Sequence, residues 1–305
     1  MNSPGDLPRG VSVLERGWLS ANNIVFRGSV TAVVDTGYWT HQEQTLALID
    51  QELDGAPLAL LANTHLHSDH CGGNAALQAR YPRMKTLIPP GLSARVRDWD
   101  PDALTYAPTG QFCPRFRFDG LLESGHEVLL GDLRWQIHSA PGHDPNSIIL
   151  FEPVTRTLIS ADALWGNGFG VVFQELEGVG AFDEVAATLD LIESLEPLTV
   201  IPGHGPVFFD VAASLGRARQ RLARFQKDPE AHARHAAKVL LKFKLLEAGQ
   251  MKFEDLAQWA TLTRYFQLVH ARHFTDSGPK EWIGRLVSEL VQGGAAHHLD
   301  GVVSN

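Results

Sequence analysis

Short apolar runs that end abruptly in Gly, Asp, Thr or His recur along the first two thirds of the chain. Such runs are typical of buried strands whose ends carry functional loops. Two of them flank Gly131-Asp132, a dipeptide that favours a two-residue hairpin. The pattern predicts strands over residues 32–35, 58–63, 127–130, 133–139, 148–151, 157–160 and 198–201.

Apolar positions at helical spacing lie between these strands, at residues 73–80 and 182–195. Strands mixed with helices favour an α/β sandwich. Residues 89–120 are rich in Pro, Gly and Asp with scattered aromatic side chains. They predict a long excursion beside the site, which either contacts substrate or is a plain surface insertion.

The pattern changes after about Phe225, where strand signals stop. Residues 231–248, 253–260 and 282–291 predict helices instead. We therefore expect one large catalytic domain over residues 1–225 and a small helical C-terminal appendage over residues 226–305.

Composition narrows the classes of protein that fit. The 305 residues are 44% hydrophobic, enough to bury a substantial core, and the formal net charge of -9 argues against a nucleic-acid partner, although a local basic patch stays open. A small-molecule substrate is the expectation. Two cysteines cannot form a disulfide framework, and the first ten residues have no apolar signal segment. No apolar run approaches the roughly 18 residues of a membrane span. We expect a cytoplasmic protein with no membrane partner, and a homo-oligomer stays open.

Four potential metal ligands lie directly after the predicted strand at 58–63: His65, His67, Asp69 and His70. Alternate residues of an extended segment face one side, so the first three can converge, and a turn brings in the fourth. Three further candidates follow later strands: His143, Asp162 and His204. Zinc accepts imidazole and carboxylate ligands, and a catalytic ion needs about three from the protein plus an open position. Seven candidates fit two ions, with one carboxylate between them.

Two of the candidate ligands, His143 and His204, follow the same dipeptide, Pro-Gly, and the histidines outside the set have no such grouping. Pro-Gly-His occurs at 141–143 and again at 202–204, where glycine lets the backbone turn closely around an ion. Of the 14 histidines, nine lie outside the seven-residue set and are interpreted as ordinary surface or core residues: His41, His126, His138, His232, His235, His270, His273, His297 and His298.

In order and approximate spacing, the seven residues resemble the metallo-β-lactamase superfamily over roughly residues 10–225. The resemblance implies an αββα sandwich with a dinuclear site at the sheet edges. It implies a first ion bound by His65, His67 and His143. A second ion would be bound by Asp69, His70 and His204. Asp162 would bridge both.

Two neighbouring residues are interpreted through the same resemblance. Asp35, in Val-Val-Asp-Thr-Gly, matches a family aspartate that supports the metal loop, although a turn aspartate that caps a strand end fits the same pattern. Cys71 follows His70 directly, but better-matched residues already fill the metal positions. We interpret it as a small packing residue.

The resemblance implies a metal-dependent hydrolase with two zinc ions, iron or manganese staying open as the native metal. A metal-bound hydroxide would attack a carboxyl derivative, namely a lactone, thioester, ester or β-lactam. Asp69 and Asp162 would act catalytically, by orienting the water and relaying its proton. True dizinc β-lactamases, as a family, use no bridging aspartate, so we expect any β-lactamase activity to be secondary. Acyl-homoserine lactonases share all seven ligands, so a lactone substrate stays open.

Substrate choice is predicted from the segment after Asp162. Glyoxalase II carries Gly-x-Gly followed by Lys or Arg, which grips the glutathione carboxylate, whereas this chain has Gly168-Phe169-Gly170 and then Val171. We expect poor turnover of a glutathione thioester and a gain from Val171→Arg. Five apolar residues near the site suggest a substrate with apolar bulk: Trp165, Phe169, Val171, Val172 and Phe173.

Three other classes stay open. An RNA endonuclease of the same superfamily would fit the basic face of residues 231–246, which holds His232, Arg234, His235, Lys238, Lys242 and Lys244. An iron-dependent redox enzyme on the same fold would differ in its metal content. A non-catalytic, metal-stabilised binding protein would keep the ligands and lack turnover.

Overall fold

The computed structural model describes residues 7–305, and two β-sheets form its centre. The first sheet contains six strands: β1 (Val11–Leu14), β2 (Asn23–Phe26), β3 (Ala32–Val34), β4 (Leu60–Ala62), β5 (Lys85–Ile88) and β6 (Gly120–Leu121). They lie across the sheet in chain order. The pairs up to β3 are antiparallel, and those from β3 to β6 are parallel.

The second sheet contains five strands: β7 (Glu127–Leu130), β8 (Leu133–Ser139), β9 (Ile148–Glu152), β10 (Thr157–Ala161) and β11 (Thr199–Pro202). Their order is β11-β10-β9-β8-β7, with only the β10–β11 pair parallel. Leu130 pairs with Leu133, which confirms the predicted hairpin at Gly131-Asp132.

Apolar side chains from both sheets meet in one interior cluster. Trp135 of β8 is fully buried there and lies edge-on to Phe26 of β2, with ring centroids 5.6 Å apart. Edge-on aromatic packing of this kind adds to the burial of apolar area. The two sheets are thus the inner layers of a sandwich.

Eight α-helices belong to this part of the chain: α1 (Gln42–Leu53), α2 (Ser68–Cys71), α3 (Asn74–Arg80), α4 (Ser93–Asp98), α5 (Tyr106–Thr109), α6 (Phe173–Glu177), α7 (Phe182–Ser194) and α8 (Val211–Lys227). A short 3-10 helix, Trp39–His41, precedes α1. Buried residues of α1 and α3 pack on the first sheet, and those of α7 and α8 pack on the second. The predicted αββα sandwich is confirmed.

Four helices follow α8 within the C-terminal segment, and the side chain of Asp228 accepts a hydrogen bond from the Ala231 amide and so caps the first of them. They are α9 (Pro229–Ala248), α10 (Phe253–Leu262), α11 (Arg264–His273) and α12 (Pro279–Gln292). The predicted C-terminal helices are therefore present.

The appendage also holds three short strands that the sequence pattern did not indicate: β12 (Gln250–Lys252), β13 (His297–Leu299) and β14 (Val302–Ser304). They form a small antiparallel sheet in the order β12-β14-β13. Buried residues of α9 to α12 share one apolar cluster with Val171 and Leu176, so the appendage packs on the segment that follows Asp162. None of the described helices is both long and apolar enough to span a bilayer.

Candidate metal centre

Two groups of side chains converge where strands of the two sheets end. One group is His65, His67 and His143, and the other is Asp69, His70, Asp162 and His204. Within each group, potential ligand atoms all lie within 4.8 Å of one another. The seven residues lie in the segments that follow β4, β8, β10 and β11, and two of them, Asp69 and His70, belong to the short helix α2. All seven predicted ligands therefore lie in these two groups, and none comes from the appendage.

Three imidazole nitrogens meet in the first group. His65 Nε2 lies 3.1 Å from His67 Nδ1, which lies 2.8 Å from His143 Nε2. His143 Nδ1–H donates to the Val171 carbonyl at 2.6 Å, so its Nε2 presents a lone pair to the other two rings. Burial lowers the pKa of His67 to about 4, and burial lowers the pKa of His143 to about 4 as well. These rings are neutral at pH 7, which is the state in which imidazole binds a metal.

Two carboxylates and two imidazoles form the second group. His204 Nε2 lies 3.1 Å from Asp69 Oδ2. His70 Nε2 is buried without a hydrogen-bond partner and lies 3.4 Å from Asp162 Oδ1. The other oxygen of Asp162, Oδ2, lies 3.4 Å from His143 Nε2. One carboxylate thus faces both groups, as a bridging ligand must.

Asp35 holds the metal loop from behind. Its carboxylate accepts hydrogen bonds from the Thr64 amide at 2.9 Å, the Thr64 hydroxyl at 2.7 Å and His70 Nδ1–H at 2.7 Å. A donating Nδ1 leaves the lone pair of His70 on Nε2, the atom that faces Asp162. Asp35 has a φ of 57°, in the left-handed region that aspartate tolerates. Both properties that the sequence suggested, support of the loop and a turn at a strand end, occur in this residue.

The electrostatics of the second group fit a cation. Burial alone would raise the pKa of Asp162, but His70 and His204 hold it well below its usual range. Burial lowers the pKa of His70, but Asp162, Asp35 and Asp69 together raise it well above its usual value. The three carboxylates around the His70 imidazole therefore stabilise a positive charge at this place. A divalent ion would supply that charge in place of the second proton of His70. The unpartnered Nε2 and the nitrogen and oxygen donors suit zinc, iron or manganese.

Glycine makes this convergence possible. A Cβ on Gly203 would lie 2.2 Å from Asp162 Oδ1, so no side chain fits between β11 and the carboxylate. Gly142 has a φ of 134°, which L side chains rarely adopt. Glycine in both Pro-Gly-His sequences thus lets the backbone pass close to a neighbour, Val185 at Gly142 and Asp162 at Gly203, and this places the histidine that follows.

Aromatic rings border the two groups. Trp18 is 58% exposed and stacks on His204 with centroids 5.6 Å apart, and Trp165 lies edge-on to the same ring at 5.5 Å. Phe173 lies 5.3 Å from His67 and contacts Tyr265 of α11 at 5.2 Å. The appendage therefore supplies an aromatic residue next to the wall of the site.

The sequence suggested five apolar residues near the site, and they divide into two kinds. Trp165 and Phe173 contact candidate ligands, whereas Phe169, Val171 and Val172 are buried in apolar clusters. Val171 contributes its carbonyl to His143, while its side chain packs against the appendage. An arginine at this position would have to replace a buried aliphatic group, so the expected gain from Val171→Arg does not fit the packing.

Sequence reasoning missed Trp18 and Asp144. Asp144 is buried, and its Oδ2 lies 3.6 Å from His67 Nε2, the ring nitrogen that faces away from the first group. Its place directly after His143 was a usable signal. Trp18 carries no signal, because only the fold brings it next to His204.

Cys71 belongs to neither group. It is fully buried, with its sulfur 3.2 Å from the Tyr106 hydroxyl and 3.8 Å from Cys113 Sγ. Tyr106 and Cys113 lie in the 89–120 excursion, which packs against the metal loop at this point. Cys71 is therefore a packing residue, as predicted.

Comparison with known proteins agrees with this geometry. A family model described as the metallo-beta-lactamase superfamily matches residues 16–204. A hydroxyacylglutathione hydrolase of Synechococcus sp. (strain JA-3-3Ab) is 28% identical over 148 residues, which are 48% of this chain and 48% of that protein. The chain spans about half the length of such curated relatives.

Solved structures show the same fold. A metallo-beta-lactamase family protein from Thermus thermophilus superposes with a TM-score of 0.60 at 16% identity, covering 97% of this chain and 98% of its own. TTHA1623, solved in a di-iron-bound form, has a TM-score of 0.50 at 25% identity and covers 68% of this chain and 96% of its own. Because the family model covers more than half of the chain and the sandwich and its donor groups agree with it, this chain belongs to the metallo-β-lactamase superfamily.

Proposed function

We propose that the chain is a dinuclear metal-dependent hydrolase that cleaves a carboxyl derivative carrying apolar bulk, with a lactone, thioester or ester as the class of substrate. The observation that supports this most is the convergence of two donor groups with one carboxylate, Asp162, facing both. With Asp162 shared, each ion would have four protein ligands, and zinc can expand to five-coordinate, which would leave a position for water or substrate.

Each ion has a proposed set of ligands. His65, His67 and His143 would hold the first ion, and Asp69, His70 and His204 the second, with Asp162 shared. We propose zinc as the metal. When bound, two such ions lower the pKa of water toward neutrality and polarise a substrate carbonyl.

The protein's own side chains provide orientation and shape. Asp69 retains some solvent access, with 14% of its side chain exposed, so its carboxylate can accept a proton from the attacking water. Val171 and Asp35 accept hydrogen bonds from His143 and His70, which fixes the tautomers of both rings. No serine or cysteine nucleophile is needed.

The aromatic rings beside the two donor groups fit a substrate whose acyl or leaving group is apolar. Trp18 on one side and Phe173 on the other present ring surface beside the donor groups. The cation that follows Gly-x-Gly in the glyoxalase II pattern is replaced here by Val171, whose side chain packs against the C-terminal helices, so a glutathione carboxylate would find no charge partner at this position. We therefore propose weak turnover of hydroxyacyl-glutathione, even though curated relatives of that name match half of the chain.

A substrate panel tests the proposal. Protein purified without chelator is assayed with thioesters, lactones, esters, β-lactams and phosphodiesters, then again after chelation and after zinc is restored. We expect turnover of an apolar lactone, thioester or ester that chelation abolishes and zinc restores. His65→Ala should lack turnover, while His126→Ala is the matched control because that imidazole is exposed and lies outside both groups. Turnover that survives chelation, or turnover of phosphodiesters alone, would contradict the proposal.

Iron is the second metal to test, because the di-iron-bound structure is among the similar solved proteins. The RNA endonuclease alternative receives less support from the basic face of α9. His232 is buried there, Lys244 pairs with Glu247, and Lys242 donates to a backbone carbonyl. Most of that face is therefore already used within the protein.

A further inference from the structure

A charged cavity of about 720 Å³ lies between α8 and α9, apart from both donor groups. Cationic side chains outnumber acidic ones in its lining. The cations are Arg217, Arg221, Arg224, Arg234 and Lys238, and the carboxylates are Asp228 and Glu230. This local excess of positive charge occurs in a chain whose formal net charge is -9.

Three of the five cations have acidic partners. Arg217 pairs with Asp210 at 2.8 Å. Arg234 and Lys238 both pair with Glu289, each at 3.0 Å. Across residues 7–305, by contrast, neither Arg221 nor Arg224 has a carboxylate oxygen within 4.0 Å, although both line the cavity. Two guanidinium charges are thus left without a counterion.

Arg221 is held in place rather than free in solvent. Its Nη1 donates to the carbonyls of Asn167 and Phe169 at 3.2 and 3.4 Å, and its Nη2 lies 3.2 Å from His235 Nε2. The guanidinium also lies over the rings of Phe169 and Phe225, at 5.9 and 5.7 Å. Burial lowers the pKa of Arg221, and the neighbouring Arg224 lowers that pKa further. A fixed, half-buried cation beside a second cation is a preorganised anion site.

We propose that this cavity binds a phosphorylated small molecule, with Arg221 and Arg224 as its principal contacts. A phosphate monoester carries a charge of about -1.5 to -2, which matches two guanidinium charges without a carboxylate partner, whereas a monocarboxylate neutralises only one. Its three acceptor oxygens can use the N–H groups of Arg224 and those of Arg221 that are not bonded to Asn167, Phe169 or His235. The neutralised cations of α9 and the acidic chain disfavour an extended nucleic-acid backbone. The proposal does not depend on the proposed hydrolase activity.

Calorimetric titration of the metal-loaded protein with phenyl phosphate tests this site, with benzoate and phenol as matched probes at about 0.15 M salt. We expect one saturable site for phenyl phosphate and much weaker binding of benzoate. Arg224→Gln should lower the affinity by about tenfold or more, because a charge-assisted contact is lost. Arg224 is exposed and has no ion pair among the described residues, so this variant should fold.

Lys227→Gln on the same helix is the control, since it removes one exposed charge outside the cavity lining. It should leave the affinity for phenyl phosphate unchanged. Absence of saturable binding, equal binding of benzoate, or binding that survives Arg224→Gln, as expected of phosphate at the metal centre, would each overturn the proposal. Tighter, Arg224-dependent binding of a short single-stranded RNA would overturn the small-molecule assignment.

Discussion

Replacing Asp35 by asparagine tests how the metal loop is positioned. Asparagine has nearly the same shape and tolerates the left-handed backbone at this position, where φ is 57°. The substitution therefore removes a charge without straining the turn. It also replaces one carboxylate oxygen by an NH₂ group, which cannot accept from the Thr64 hydroxyl or from His70 Nδ1–H.

The expected magnitude follows from the bonds that are lost. Asp35 Oδ2 accepts from Thr64 and His70, both at 2.7 Å, in a fully buried setting. Loss of a charge-assisted hydrogen bond costs about 1.5–3 kcal/mol, so for the two bonds we expect the free energy of unfolding of metal-free protein to fall by about 3–6 kcal/mol. Because the proton on Nδ1 sets the lone pair on His70 Nε2, metal affinity should fall by roughly 10–100-fold.

Urea unfolding of metal-free protein measures the first quantity, and competition with a chromophoric chelator measures the second. Asp98→Asn, at an exposed aspartate with no partner among the described residues, is the matched control and should change neither. A loss of stability with unchanged metal affinity would show that Asp35 serves only the turn. Wild-type values for both quantities would refute the reasoning entirely.

Three further predictions concern the packing around the site. Val171→Arg buries an unpaired charge, so it should lower the free energy of unfolding by about 3 kcal/mol or more without raising turnover of hydroxyacyl-glutathione. Val154→Arg, at a residue that is 87% exposed, is the control and should be neutral. Equal stability of the two variants would contradict this prediction. Burial lowers the pKa of His232 to about 4, whereas its pKa in the unfolded chain is about 6.5. A contribution to stability of order 3 kcal/mol is therefore present above about pH 6.5 and is lost as the pH falls toward 4. His232→Gln should flatten the pH dependence of urea unfolding over that window, and an unchanged slope would refute the assignment. Ending the chain after Lys227 should expose Val171 and Leu176 and cause aggregation in size-exclusion chromatography, whereas a monodisperse product with the same Tm would show that the appendage is dispensable.

The parts of the fold that the sequence predicted are those with a strong local signal. The strands before His65, His143, Asp162 and His204 are buried apolar runs, and all were found within about two residues of the predicted bounds. Close ligand spacing likewise identified the metal loop, because His65 to His70 lie within one short turn.

Elements with weak local signals were missed. The buried residues of helix α8 recur at helical spacing, but two of the six, Ser214 and Ala218, are small and the rest of the helix is rich in arginine, so its apolar face is weak in the sequence. Strands β12, β13 and β14 have three residues each and are largely exposed. Three residues are too few to show the alternation of apolar and polar positions that identifies a strand.

Long-range contacts were beyond sequence reasoning for a different reason. Trp18 and Tyr265 lie far along the chain from the ligands that they help to border, and only the folded chain brings them together. Val171 shows the converse error, since its place after Asp162 suggested a substrate contact. Its side chain instead packs against helices whose position the sequence pattern did not predict.

The central claim is that seven side chains hold two metal ions, with Asp162 shared between them. Elemental analysis of protein purified without chelator and dialysed under metal-replete conditions measures this most directly, with Asp162→Asn run in parallel. We predict two equivalents of metal per chain in the wild type and weakened retention of both in the variant. Reproducible loading of a single equivalent in the wild type, or full loading of the variant, would contradict the dinuclear account.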